Sequence, residues 1–111
     1  MVSVVVDVRH EDGAASVKLQ SDAWELNFQA PTEILLRLRD VRAADWAARR
    51  SIATGYAAGV PVFWAAGGSG ADEAVILIGA DDEGWSIAFT VSATVADEIV
   101  RTVEAERTYP E

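Results

Sequence analysis

The chain has no cysteine and a single histidine, His10. Without thiols there can be no disulfide framework and no thiolate metal site, and the absence carries no sign of an oxidising compartment. One histidine beside the turn Glu11-Asp12-Gly13 supplies too few ligands for a transition metal. His10 therefore reads as a surface turn residue, and neither a metal nor any other cofactor is expected. Long apolar runs are missing too: none approaches the roughly 20 residues that a membrane-spanning helix needs. Met1 leads at once into alternating, strand-like sequence rather than a basic and then apolar leader, which predicts a cytoplasmic protein without a signal peptide. Basic residues are scarce, nine Lys and Arg against 18 Asp and Glu, for a net charge of −9. Phosphate backbones are held by Lys and Arg, so nucleic acid is not an expected partner.

The shortage of bases is uneven along the chain. Residues 1–55 carry eight acids and seven bases, whereas residues 56–111 carry ten acids and two bases. Arg37, Arg39, Arg42, Arg49 and Arg50 cluster in the first half. Such a cluster is either ordinary charge paired with nearby acids or one pole of a dipolar surface that steers a basic partner.

Core material is plentiful. Half of the 111 residues are apolar, enough for one domain spanning 1–111, with a tail expected to fray from about residue 107. Val2, Val4, Val6 and Val8 alternate with Ser3, Val5, Asp7 and Arg9, as in a half-buried strand. After the Asp-Gly turn, Ala15, Val17 and Leu19 alternate with Ser16, Lys18 and Gln20. Trp24, Leu26 and Phe28 repeat the pattern against Glu25, Asn27 and Gln29. Pro31 and Glu33 mark a helix start, yet residues 32–39 suit a helix and a strand almost equally. Residues 42–50 are rich in Ala and Arg, with Asp45 placed to pair with Arg49, and predict a helix. Residues 51–56 read as a strand that hairpins through Ala57-Ala58-Gly59.

Two apolar runs follow, Val60–Ala66 and Ala74–Ile78, joined by Gly67-Gly68-Ser69-Gly70. Trp85–Val91 then alternates again, and Ser92 caps a final helix striped by Val95, Ile99 and Val103. The expected fold is an α+β two-layer sandwich. Its sheet is a mostly antiparallel meander of six to seven strands, with helices on one face.

Chemistry is harder to find. Ser51, Ser69, Ser86 and Ser92 have no His nearby in sequence and no nucleophile-elbow pattern. The glycine run at 67–70 leads into a strand and an acidic pair, unlike a phosphate-binding loop. Asp81-Asp82-Glu83 lacks the spaced ligands of a calcium loop and suits a charged hairpin tip or a docking patch for Arg and Lys. No catalytic residue emerges, so the chain is not expected to be an enzyme.

Trp46 with Arg49 and Arg50 has hot-spot composition, and with Asp81, Asp82 and Glu83 it forms the expected partner-binding set. Trp24, Trp64 and Trp85 are expected in the core. Helices on one face alone would leave Phe63, Ala65, Val75 and Leu77 bare, so these four are the expected face of a homodimer. The reading is a non-enzymatic protein-interaction module, an immunity-type or regulatory binder of a basic protein. The alternative is a small-ligand-binding protein or enzyme with a Trp- and Arg-lined pocket between helices and sheet.

Overall fold

The computed structural model describes residues 2–48, 50–67 and 72–107. Seven strands, β1 (Ser3–Arg9), β2 (Ala14–Gln20), β3 (Glu25–Pro31), β4 (Ile52–Ala57), β5 (Val60–Ala66), β6 (Glu73–Gly79) and β7 (Trp85–Ser92), lie in chain order in one antiparallel sheet. Each apolar alternation becomes a strand because period-two patterning puts every second side chain on one face. In register, Val6 faces Val17 and Val17 faces Phe28, and further along Trp64 faces Ile76 and Ile76 faces Phe89. The meander with helices on one side is as expected.

The helical layer has two parts. A short helix α1 (Thr32–Leu35) runs directly into a 3-10 segment, Leu36–Ala43, and the chain ends its described course in α2 (Thr94–Arg107). The ambiguous stretch at 32–39 is thus helical, and the helical segment as a whole buries Leu35, Leu38 and Val41. Those three meet Ile99, Val100 and Val103 of α2 over the inward residues of β2, β3, β5 and β6 in a single core. Burying each such side chain contributes about 1.5–3 kcal/mol.

The helix expected over 42–50 does not form. Helical structure stops at Ala43, and Ala44 leaves with ψ 74 while donating its N–H to the Val41 carbonyl. The Asp45 side chain accepts from the Ala47 N–H, and its carbonyl accepts from the Ala48 and Arg50 N–H groups. Local side-chain and backbone acceptors compete here with helix propagation, which Ala and Arg propensity alone does not outweigh. Ser92 also falls one position short of its expected role: it ends β7, and its Oγ accepts from the Thr94 N–H as α2 begins.

The sheet is strongly coiled. In a flat sheet β3 and β7 would lie roughly 19 Å apart, four strand spacings. Yet Trp24, just before β3, stacks on Phe89 of β7 with ring centroids 4.5 Å apart. Both rings pack on the core, so the sheet curls around the helices and has a concave, filled face and a convex one. Gly55 helps to set this curvature. It lies at φ +114 within the register shift between Ala53 and Tyr56, and its Cα lies so close to the Gln29 carbonyl that a side chain has no room. A bulge there sharpens the local twist.

Candidate functional site

The convex face of β5, β6 and β7 carries Phe63, Ala65, Val75 and Leu77, the residues expected to be left bare. Ala65 is fully buried and Leu77 is 4 % exposed, while Phe63 and Val75 are half-buried. The reason is that the segment after Ala43 does not stay with the helices. The Ala66 N–H donates to the Ala44 carbonyl at 2.8 Å, and from there residues 45–47 fold over the end of the convex face. The chain thus covers part of this face itself, which removes much of the reason for a dimer across it.

Trp46 is the centre of this cover. Its indole Nε1 donates to the Asp82 carbonyl at 2.6 Å, and the Ser51 hydroxyl donates to Asp82 Oδ2 at 2.6 Å. Asp81 shapes the hairpin tip by accepting the backbone N–H groups of Glu83 and Gly84 on Oδ1. The tip is therefore a clasp as well as a charged loop. Its half-buried Asp82 holds the loop after the 3-10 segment to the β6–β7 hairpin across 31 and 36 residues of sequence.

Between the clasp and β7 lies an open cavity of about 460 Å3. Val75 and Leu77 form its floor, with Ala88 and Thr90 of β7 alongside, Trp46 and Trp85 as walls, and Asp45 and Glu73 among its lining. Trp85, expected in the core, is instead 42 % exposed. It sits where the pairing of β6 with β7 shifts register between Ile78 and Gly79, and it faces Gly79, which offers no side chain to pack against. Alternation in the sequence gives no signal of that slip.

Of the expected partner-binding residues, the structure brings together Trp46, Asp82 and, through the turn, Asp81 and Glu83. Arg50 is exposed and lines a different hollow with Arg37, Asp40 and Ser51. Arg49 lies outside the described residues. Sequence reading missed Trp85, Ser51 and Asp45 as parts of this site; only the high tryptophan content hinted at the first.

Charge that is lopsided in sequence is partly cancelled in space. Arg42 binds Asp72 through Nε and Nη2 at 2.7 and 2.9 Å, and Asp97 through Nη1 and Nη2, both at 2.9 Å. These bonds hold the carboxyls of Asp72 and Asp97 below the usual carboxylate value and raise Arg42 further above its own. Arg39 likewise meets Glu104 at 3.0 Å, and His10 approaches Glu106 at 3.4 Å. The arginines of the first half thus tie the 3-10 segment to the start of β6 and to α2. Among the described residues, no group of three or more His, Cys, Asp or Glu is placed to hold a metal ion, and no helix is long and apolar enough to cross a membrane.

In comparisons with known proteins, the chain matches no family model, no curated protein and no solved structure.

Proposed function

We propose that this chain is a non-enzymatic protein-interaction module that receives a basic partner on its convex face. The observation that carries the reading is the apolar cavity between Trp46 and Trp85, set directly beside the acidic tip Asp81-Asp82-Glu83. Interface hot spots favour tryptophan in a pocket that excludes water, surrounded by polar residues that orient the partner. The hydrogen bond from Nε1 to Asp82 fixes the Trp46 ring before any partner arrives, which lowers the entropy lost on binding. The acidic second half of the chain would speed the approach of a basic surface, with salt weakening that effect. An immunity-type or regulatory inhibitor of a basic protein fits this chemistry, working in the cytoplasm as expected from the sequence.

The test uses the whole chain as bait, with Trp85→Ala beside wild type. Trp85 is an exposed cavity wall outside the clasp, so its loss should change stability by no more than about 0.5 kcal/mol. A partner rich in Lys and Arg should be retained by wild type and lost by the variant, and its association rate should fall as salt rises. A partner retained equally by both would refute the site. A second reading, a small apolar ligand in the same cavity, draws on the volume of about 460 Å3 and the Val75 and Leu77 floor. Saturable quenching of tryptophan fluorescence by a small aromatic compound, without any protein partner, would favour it.

A further inference from the structure

The sheet has two edges, and they differ. At β1 the edge strand carries Asp7 and Arg9, and α2 packs on it. At β7 the strand reads Trp-Ser-Ile-Ala-Phe-Thr-Val-Ser, without a charge, proline or glycine. Proteins normally protect a free edge with Lys, Pro, a bulge or a covering segment, because its unpaired N–H and C=O groups invite another strand. The one irregularity of β7 lies at its start, where Ser86 bulges between the pairs Ile78–Ile87 and Gly79–Trp85, which leaves Ile87–Ser92 regular. Ile87 on the concave side of this edge is 49 % exposed.

We propose that β7 pairs antiparallel with β7 of a second copy about a two-fold axis, joining two seven-stranded sheets into one. Opposed residues in an antiparallel pair share a face, and Ile87, Phe89 and Val91 share the concave one. Of the pairings that satisfy this within the regular run, the one that brings in exposed Ile87 puts Phe89 on the axis. Ile87 then lies opposite the partner's Val91, and Ala88 opposite the partner's Thr90. Exposed Ile87 gains an apolar neighbour and no charge meets a like charge.

The edge suits a second copy because its apolar face, Ile87, Phe89 and Val91, is complementary to itself when the strand is reversed. Copies at net −9 repel each other across most surfaces, and β7 is the edge strand that carries no charge. This interface lies along the edge and is separate from the cavity between Trp46 and Trp85.

Because the chain has no cysteine, single cysteines can report the register directly. Each of positions 86–91 is changed to Cys in turn and oxidised mildly, and Phe63→Cys reports the convex face. Light scattering of the unaltered chain at tens of micromolar should give twice the 11.9 kDa chain mass, and cross-linking should peak at position 89. Ile87→Lys should weaken the dimer at least tenfold, or about 1.4 kcal/mol, with an unchanged circular dichroism spectrum. Ser86→Lys, which removes no apolar contact, should weaken it in the same direction and guards against a folding defect at Ile87. A chain mass of 11.9 kDa in that range, or cross-linking that peaks at Phe63→Cys, would overturn the proposal.

Discussion

Breaking the clasp between Ser51 and Asp82 separates a structural carboxylate from a merely solubilising one. Ser51 Oγ donates to Asp82 Oδ2 at 2.6 Å, and both residues are half-buried. A hydrogen bond to a charged group is worth about 1.5–3 kcal/mol when buried, and partial exposure reduces this one to about 1 kcal/mol. Asp82→Ala and Ser51→Ala should each cost about that much, lowering Tm by roughly 4 °C for a chain of this length. Their double mutant should cost little more than either single change, giving a coupling of about 1 kcal/mol. Asp22→Ala, at an exposed turn carboxylate, should stay within about 0.5 kcal/mol. The Trp46 indole bond goes to the Asp82 backbone, so it survives the truncation in principle but loses its support. The indole N–H of Trp46 should therefore exchange with solvent faster in Asp82→Ala, which nuclear magnetic resonance reads directly. Additive losses from Ser51→Ala and Asp82→Ala, or an unchanged Trp46 exchange rate, would show that the tip does not hold the loop.

Other substitutions test the frame around the site. Arg42 lowers the carboxyls of Asp72 and Asp97, so their contribution is present above the ordinary carboxylate value of 3.8 and is lost as pH falls through the lowered values. Arg42→Gln should be less stable than wild type at neutral pH, and thermal melts of the two should converge in strong acid; a constant gap across that range would refute the linkage. Gly55→Ala should cost about 3 kcal/mol in denaturant unfolding, because φ +114 and the adjacent Gln29 carbonyl both exclude a Cβ. Ala58→Gly should instead stabilise by about 0.5–1 kcal/mol, since Ala58 holds φ 50 in the β4–β5 turn, and an unchanged midpoint would argue against strain there.

Period-two patterning is local, and where it alone decides the structure the sequence was enough to read it. The alternations at Val2–Val8, Ala15–Leu19 and Leu26–Phe28 yield strands with the expected inward residues, and the stripe Val95, Ile99, Val103 yields the final helix. The site depends on what lies between such elements. Residues 42–50 have helical propensity, yet the carbonyls at Val41 and Asp45 capture N–H groups locally and the Ala44–Ala66 bond draws the chain across the sheet. That bond joins residues 22 apart, and no pattern of side chains within either segment announces it. It has two consequences together. The segment folds over the end of the face on which Ala65 and Leu77 are buried, so a face that composition alone would assign to a partner is partly closed from within. The same fold-over stands Trp46 opposite Trp85 and builds a cavity on the side away from the helices, where the reading from sequence placed no pocket. Exposed apolar surface at this end of the sheet then lies at Trp85, on the convex rim, and at Ile87, on the concave side of β7. A second molecule is best sought there, at the cavity mouth and along the open edge of β7.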